Sequence, residues 1–320
     1  MKRLVNVLQL GLGAIGLSVS KQLLTRSHAK LVAAIDPNPT LQDKDVGALS
    51  TGVENNIKVH ADLEQSVRQQ PIDIAIVCTS SNATAVEQHI HPLLEAGIPV
   101  ITSCEELFYP WNTQPELAQR LHQQALQHQT AVLATGINPG FLMDYLPSAA
   151  TAISQKIDYI CVKRIQDAAS RRLPFQQKIG AGLSQTEFNS KKAAGSLRHV
   201  GLVESVYFIA NQLNLELSKV EETLEPTKDN DTITGIEQIA TGFTADRAII
   251  QLQFIASIHQ PNPEDSIDIQ GEPNLHLRIT PPVHGDGATA SILINAIPAV
   301  LNAQPGLHNT ASINTVTHWK

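Results

Sequence analysis

The six residues GLGAIG, at positions 11–16, constrain the fold of this chain more than any other part of its sequence. They lie between an apolar segment at 4–10, which predicts a strand, and a segment of helical period at 14–27. In that context the first glycine permits a tight turn, the second lets the backbone approach a pyrophosphate, and the third lets the helix pack on the strand. The motif therefore predicts a dinucleotide-binding turn rather than a plain strand–turn–helix corner, with contacts from Gly11, Gly13, Ala14, Ile15 and Gly16.

The rest of the first half alternates between apolar runs of strand length and longer segments of helical period. We expect strands at 30–35, 72–79, 98–103 and 130–135, and helices at 83–96 and 114–128. Such alternation is typical of βαβ units, in which helices cover both faces of a parallel sheet. The predicted fold class is therefore α/β, with a Rossmann-type doubly wound parallel sheet.

The pattern changes after about residue 150. Segments 248–256 and 275–279 alternate apolar and polar residues, which predicts a mostly antiparallel sheet in a second, α+β domain. Two helices are expected near 184–195 and 199–213, and a return helix from Gly285 is expected to stop at Pro305-Gly306. The predicted boundaries are 1–148 for the dinucleotide-binding domain, 149–284 for a substrate and dimerisation domain, and 285–320 for a return helix and tail that pack on the first domain.

An acidic residue and several hydroxyl residues extend the predicted cofactor site. Asp36 ends the second strand, 20 residues after Gly16, where a carboxylate binds the adenosine ribose. It would repel a 2′-phosphate, and segment 37–42 offers no Lys or Arg, so NAD is favoured and NADP stays possible. The alternative role for Asp36 is a turn or cap before Pro37. Further cofactor contacts are expected from residues at other strand ends, namely Cys78, Thr79, Ser80, Ser103 and Asn138.

Two consecutive carboxylates, Glu105 and Glu106, follow the apolar run at 98–101. Ligands of open α/β sheets bind at the carboxyl ends of the strands, so this pair is expected at the nicotinamide end of the cleft. Alcohol and sugar dehydrogenases usually place Lys or His there, whereas a carboxylate stabilises a cation such as an iminium and accepts protons from ammonium. The pair therefore predicts chemistry at a carbon–nitrogen bond, and the alternative is that both residues cap the next turn.

Composition excludes several other classes. A net charge of −7 and a pI near 5.9 argue against nucleic acid as the main partner. The three cysteines have neither disulfide nor zinc spacing, and His89 and His91 point to different sides of a helix, so we expect no metal and a reducing, cytoplasmic location. No apolar run approaches the ~20 residues that span a bilayer. The basic and apolar N-terminus also lacks the cleavage site of a signal peptide.

Several motifs together resemble the 2,4-diaminopentanoate dehydrogenase family and its relatives, the native amine dehydrogenases, in the dihydrodipicolinate reductase-like superfamily. They are TSCEELFYP, TGINPGF running into LMD, RRLPFQQKIGAG, RHVGLVES, and GDGATASILINAIP followed by QPGL, and they cover nearly the whole chain. The resemblance implies a dimeric two-domain enzyme that deaminates an amine oxidatively or aminates a ketone with ammonia, using NAD(P). It also implies Glu105 as the more favoured catalytic carboxylate, and a substrate pocket lined by Asn138, Phe141, Arg164 and His199.

The sequence leaves some alternatives open. His284, in the second half, is a further candidate for substrate binding. The enzyme could act on a diamino acid, as the family name suggests, or the chain could be a catalytically silent NAD-binding sensor. An alcohol or sugar dehydrogenase would need Lys or His where this chain has Glu106.

Overall fold

The computed structural model describes residues 4–69, 71–169 and 171–320. The chain forms two compact units, of which unit 1 contains residues up to 141 together with 284–320, and unit 2 contains 142–283. The chain thus leaves unit 1 after Phe141 and returns to it at His284. No helix in the described ranges combines the length and apolar character that crossing a bilayer requires.

The strands, in chain order, are β1 (Val5–Leu10), β2 (Ala29–Ile35), β3 (Val59–His60), β4 (Ile74–Val77), β5 (Val100–Thr102), β6 (Ala131–Ala134), β7 (Lys156–Asp167), β8 (Lys219–Asp229), β9 (Thr232–Thr244), β10 (Arg247–Ser257), β11 (Glu264–Glu272), β12 (Leu275–Ile279) and β13 (Gly306–His308). The helices are α1 (Ala14–Leu23), α2 (Val46–Thr51), α3 (Leu63–Gln69), α4 (Ala83–Glu95), α5 (Pro115–Gln127), α6 (Tyr145–Ala150), α7 (Leu173–Lys178), α8 (Gln185–Ala193), α9 (Leu202–Gln212), α10 (Gly285–Asn295) and α11 (Ile297–Leu301).

Unit 1 is built on a seven-stranded sheet in the order β13-β6-β5-β4-β1-β2-β3, and every neighbouring pair is parallel. Alternate side chains of β4 enter two different apolar layers. Ala75 and Val77 pack with α4 and α5, whereas Ile74 and Ile76 pack with α1 and α10. Helices therefore cover both faces, and the predicted doubly wound parallel sheet is confirmed.

Unit 2 is built on a six-stranded sheet in the order β12-β11-β7-β10-β9-β8. All its neighbouring pairs are antiparallel except β7 with β10, which run parallel. Helix α9 packs on β9 and β10. The prediction of a mostly antiparallel sheet in an α+β unit is confirmed.

Four details of the predicted elements were wrong. Helix α1 ends at Leu23 rather than at 27, and the helix expected from 199 begins at Leu202, because Gly201 precedes it with a left-handed φ of 106°. The return helix is divided into α10 and α11, since Pro298 lacks the N–H that would continue it. Beyond Pro305 the chain forms β13, which pairs with β6.

Candidate functional site

The glycine turn after β1 shows which of its glycines the packing requires. A Cβ on Gly16 would lie 1.9 Å from the carbonyl oxygen of Gly11, and a Cβ on Gly11, where φ is +88°, would lie 2.6 Å from the carbonyl oxygen of Cys78. A Cβ on Gly13 would meet nothing within 4 Å. Gly11 and Gly16 are therefore needed for close packing, while Gly13 borders open space into which a pyrophosphate fits.

The N-terminus of α1 begins at this open side. Gly13 is its N-cap residue, and within the described chain no side chain caps the helix and no acidic residue lies in its first turn. The first backbone N–H groups of a helix have no intrahelical acceptor, and together with the helix dipole they attract anions. The amides of Ala14, Ile15 and Gly16 are thus available to phosphate oxygens, and the residues present fit a dinucleotide.

The carboxylate of Asp36 is fixed beside the same turn. One oxygen, Oδ2, accepts a hydrogen bond from the Leu12 N–H at 2.7 Å, and the other, Oδ1, accepts from the Asn38 N–H at 2.9 Å. A carboxylate has about four acceptor positions, so two bonds leave capacity for ribose hydroxyls. The nearby side chains of Asn38 and Gln42 are neutral.

The end of β4 forms the next wall of the candidate cofactor site. The Cys78 carbonyl lies against Gly11, and burial raises the pKa of the Cys78 thiol to about 11, so the thiol stays protonated at neutral pH. The Thr79 hydroxyl lies 2.9 Å from Nδ1 of His89, and the Ser80 hydroxyl accepts the Asn82 N–H at 3.0 Å. Thr79 and Ser80 therefore have partners of their own at this strand end.

The two consecutive carboxylates have different surroundings. Both belong to the short 3₁₀ turn Glu105–Leu107 that follows β5. Oε2 of Glu106 accepts hydrogen bonds from the Ala83 N–H at 2.9 Å and from the side-chain amides of Asn82 and Gln114, each at 3.2 Å. Glu106 therefore caps the N-terminus of α4, which is a favourable place for a carboxylate.

Glu105 is half-buried, and its charge acts on two thiols of the nucleotide unit. Burial is the first cause that raises the pKa of the Cys104 thiol, and the negative charge of Glu105 is the second. The same charge contributes to the raised pKa of Cys78, after burial. Glu105 therefore places a carboxylate near Cys78, a residue of the candidate cofactor wall.

The loop after β6 carries two predicted pocket residues of unit 1. The loop is tight, because Gly140 has a φ of +128° and a Cβ there would lie 2.2 Å from the Gly136 nitrogen. The Thr289 hydroxyl of α10 accepts the Ile137 N–H at 3.3 Å and holds the loop. Asn138 and Phe141 are half-buried in this loop.

Within unit 2, Arg164 lies in the interior and holds the backbone of Val283. Its Nη2 donates to the Val283 carbonyl at 2.8 Å, and its Nη1 lies 3.5 Å from Oδ1 of Asp265. Asp265 in turn accepts the Val283 N–H at 2.8 Å. Arg164 is 2% exposed. The structure therefore gives this predicted substrate-binding residue a structural role within the sheet.

His199 is held by a buried amide. Oε1 of Gln238 accepts the His199 N–H at 2.7 Å, and Nε2 of Gln238 donates to the His199 carbonyl at 2.9 Å. The imidazole ring packs on Phe254 with 4.3 Å between ring centroids. Burial first, and then the charges of Lys178 and Arg164, lowers the pKa of His199 to about 3. His199 is therefore a neutral imidazole at neutral pH.

These residues of unit 2 form a line across four adjacent strands, which we call the cross-strand row. Arg164 pairs in register with Asp265 on one side and with Phe254 on the other, and Phe254 pairs with Gln238. The row thus places Arg164 beside Phe254 in the sheet, and the Phe254 ring packs against His199. Its members are Asp265, Arg164, Phe254 and Gln238.

His284 has a different environment from the other candidates. It is exposed and serves as the N-cap of α10, where its Nδ1 accepts the Gly287 N–H at 3.4 Å. The contact explains why a histidine precedes this helix.

Sequence reasoning missed several residues that shape the candidate site. Gln9, Asp265 and Gln238 are buried polar residues, and each contacts a predicted site residue. A polar residue inside an apolar strand pattern is the signal that could have identified them, because buried amides and carboxylates need partners. The capping role of Glu106 depends on residues 23 or 24 positions away and gives no local signal.

Comparisons with known proteins match this architecture. Residues 141–319 match the family described as the 2,4-diaminopentanoate dehydrogenase C-terminal domain, and residues 5–136 match the oxidoreductase family with an NAD-binding Rossmann fold. The 2,4-diaminopentanoate dehydrogenase of Acetoanaerobium sticklandii is 29% identical over 327 residues, covering 95% of this chain and 92% of that protein. The amine dehydrogenase of Streptomyces virginiae is 21% identical over 342 residues, covering 95% of this chain and 94% of that protein.

A solved structure supports the fold. The amine dehydrogenase from Mycobacterium smegmatis superimposes with a TM-score of 0.87 at 20% identity, covering 98% of this chain and 97% of that chain. The resemblance inferred from the sequence motifs is confirmed by these comparisons.

Proposed function

The chain belongs to the family of the 2,4-diaminopentanoate dehydrogenase C-terminal domain, and on that premise we propose that it is a nicotinamide-dependent amine dehydrogenase. It would deaminate a small amine oxidatively and, in reverse, aminate a ketone with ammonia. The observation that carries the proposal is that two adjacent carboxylates, Glu105 and Glu106, have different surroundings. Glu106 caps α4, whereas Glu105 is half-buried and its negative charge acts on Cys78 at the candidate cofactor wall.

When bound, the cofactor supplies or accepts the hydride, and the chain's own residues prepare the site. The amides at the N-terminus of α1 bind the pyrophosphate, and Asp36 binds the adenosine ribose, which favours NAD over NADP. Glu105 is proposed to stabilise the positive charge of an iminium substrate and to take a proton from ammonium. The neutral side chain of Asn138 and the ring of Phe141 are proposed to contact and limit the substrate.

A carboxylate suits this chemistry better than it suits an alcohol dehydrogenase. A developing alkoxide needs a cation or a proton donor beside it, and an anionic oxygen would destabilise it. An iminium carries the opposite charge, so the same carboxylate lowers the energy of the cationic form. The electrostatics of Glu105 therefore favour nitrogen-containing substrates.

Turnover with ketones and ammonia is the direct test. We expect NADH oxidation when small ketones are mixed with excess ammonium at alkaline pH, and a lower kcat/KM with NADPH. The panel includes the ketones that deamination of a diamino acid would give, because the Acetoanaerobium sticklandii relative is named for 2,4-diaminopentanoate. Absence of turnover across the whole panel with both cofactors would contradict the proposal.

Substitution of the two carboxylates then assigns the role. Glu105→Gln is expected to lower kcat/KM by ~10²–10⁴-fold while the Kd for NADH stays the same. Glu106→Gln is the matched comparison, and its expected effect is a loss of about 1 kcal/mol in the free energy of unfolding, because the cap of α4 is weakened. A larger loss of kcat/KM in Glu106→Gln than in Glu105→Gln would reverse the assignment.

We further infer a homodimer and a reducing, cytoplasmic location. All three cysteines are unbonded thiols, as a reducing compartment requires. The face of the unit 2 sheet that carries Tyr159, Lys163 and Asp268 contains a cavity of about 380 Å³ and offers a surface on which a second copy could pack. Sedimentation at increasing protein concentration tests the dimer.

A further inference from the structure

Gln9 lies on β1, two residues before the glycine turn, and is not part of the glycine motif. It is 0% exposed, and its neighbours along the strand are apolar. Burying an amide costs free energy unless hydrogen bonds replace the lost water, so a glutamine in the centre of a parallel sheet needs an explanation.

The Gln9 amide uses only one of its two ends. Its Nε2 donates to the Gly11 carbonyl at 2.9 Å and to the Leu10 carbonyl at 3.3 Å, and the side chain also makes a hydrogen bond with the Cys78 thiol. Its Oε1 has no hydrogen-bond partner within the described chain. A half-satisfied buried amide is a poor way to stabilise a fold, so the bond to the Gly11 carbonyl points to a role other than stability.

That bond fixes one end of a peptide plane whose other end is also fixed. The peptide between Gly11 and Leu12 carries the Gly11 carbonyl, which accepts from Gln9, and the Leu12 N–H, which donates to Oδ2 of Asp36 at 2.7 Å. Because a peptide unit is planar, two bonds at opposite ends determine its orientation. The orientation of this peptide sets the course of the chain into Gly13 and the first amides of α1.

We propose that Gln9 is a positioning residue for cofactor binding, which orients the Gly11-Leu12 peptide and, through it, both the phosphate-binding amides and the ribose-binding carboxylate of Asp36. The ligand it serves is the adenosine pyrophosphate portion of the dinucleotide. Neither the nicotinamide end of the dinucleotide nor the amine substrate is expected to contact Gln9.

The decisive variant is Gln9→Met, which keeps the length of the side chain and removes the donor. Calorimetric titration is expected to show a Kd for NADH raised roughly five- to tenfold, and the Kd for ADP-ribose raised by the same factor. The unfolding temperature is expected to stay at the wild-type value, because the lost bond is offset by removal of an amide that is only half satisfied.

Gln124→Met is the matched control. Gln124 lies on α5, and its Oε1 is likewise buried without a hydrogen-bond partner in the described ranges. Helix α5 packs against β6 and β13, so this variant makes a similar change away from the glycine turn. It should bind NADH and ADP-ribose as the wild-type protein does.

Four results would overturn the proposal. They are an unchanged Kd for NADH in Gln9→Met, a weakened NADH complex with an unchanged Kd for ADP-ribose, a loss of affinity that occurs only together with a lower unfolding temperature, and an equal loss in Gln124→Met. Binding is measured without turnover. A failed panel of ketones would therefore count against the amine dehydrogenase and leave the role of Gln9 intact.

Discussion

The glycine turn of unit 1 and the cross-strand row of unit 2 orient functional groups in opposite ways. The turn orients groups through the backbone. Because Gly11 and Gly16 have no side chains, main-chain atoms can approach each other and a ligand. The row uses side chains, because Arg164, Asp265 and Gln238 hold the backbone of Val283 and His199. Substitutions that add atoms are expected to destabilise a turn of this kind, whereas substitutions that remove atoms are expected to destabilise the cross-strand row.

The largest expected effect is on the row. Arg164→Met leaves Asp265 buried without its cation and leaves the Val283 carbonyl with the longer hydrogen bond from Gln166 at 3.4 Å. A buried ion pair broken on one side typically costs about 3–5 kcal/mol of unfolding free energy. Urea unfolding measures the loss. The double variant Arg164→Met/Asp265→Leu should lose less than the single one, because no unpaired charge remains. Equal losses of unfolding free energy in the single and double variants would show that the unpaired charge of Asp265 does not cause the destabilisation.

Exposed ion pairs provide the contrast for that prediction. Lys192 pairs with Glu225 on the surface of unit 2 at 3.0 Å, with the two side chains 39% and 68% exposed. Lys192→Met should change the unfolding free energy little, because exposed pairs are screened by water.

The next effect separates two glycines of one motif. Gly16→Ala places a Cβ 1.9 Å from the Gly11 carbonyl oxygen, so we expect roughly 1–3 kcal/mol of destabilisation together with loss of NADH binding. Gly13→Ala meets nothing within 4 Å inside the protein, so its unfolding temperature should hold while its Kd for NADH rises. Thermal unfolding and NADH titration on both variants test the pair. Equal destabilisation would contradict the division of roles.

The turn was predictable from sequence because its requirements fall on residues at fixed, short spacings along the chain. Local geometry alone explains the roles of the glycines at 11, 13 and 16 and of the acidic residue at 36. The row draws single residues from β7, β9, β10 and β11, and strand pairing over such separations leaves no local pattern. The fold class was therefore predictable, whereas the buried polar partners of Arg164 and His199 were not.

The pair of carboxylates, Glu105 and Glu106, was predictable from sequence only in part. The sequence located Glu105 and Glu106 at a strand end and left open which one serves the reaction. The contacts of Glu106 with Asn82 and Gln114 depend on α4 and α5 meeting the same turn, which is a tertiary property. The short strand β13 was missed for a similar reason, since three residues carry too little periodicity to indicate a strand.

The effect that is smallest at neutral pH, and that grows as the pH is lowered, is a pH dependence that arises in unit 2. The folded protein holds the pKa of His199 at about 3, against an ordinary value near 6.5. At pH values between these two pKa values, His199 binds a proton in the unfolded chain but not in the folded chain. The free energy of unfolding therefore falls as the pH is lowered from about 6.5 towards 3. The contribution is at most about 1.4 kcal/mol per pH unit.

Replacing the histidine tests this origin. His199→Asn should flatten the dependence of the unfolding free energy on pH in that window, as measured by urea unfolding at several pH values. His318→Asn, an exposed histidine of the C-terminal tail, is the control and should retain the wild-type slope. A His199→Asn slope equal to that of the wild-type protein would assign the acid sensitivity to other groups.

The return of the chain to unit 1 also has a consequence during synthesis. Strand β13, which pairs with β6, is translated about 170 residues after it, and α10, which packs on α1, is translated later than all of unit 2. At ~5–20 residues per second, the ribosome leaves that edge of the parallel sheet incomplete for ~10–30 s. The nascent nucleotide-binding unit must therefore wait, with part of its apolar surface uncovered, for its own C-terminal segment, 284–320.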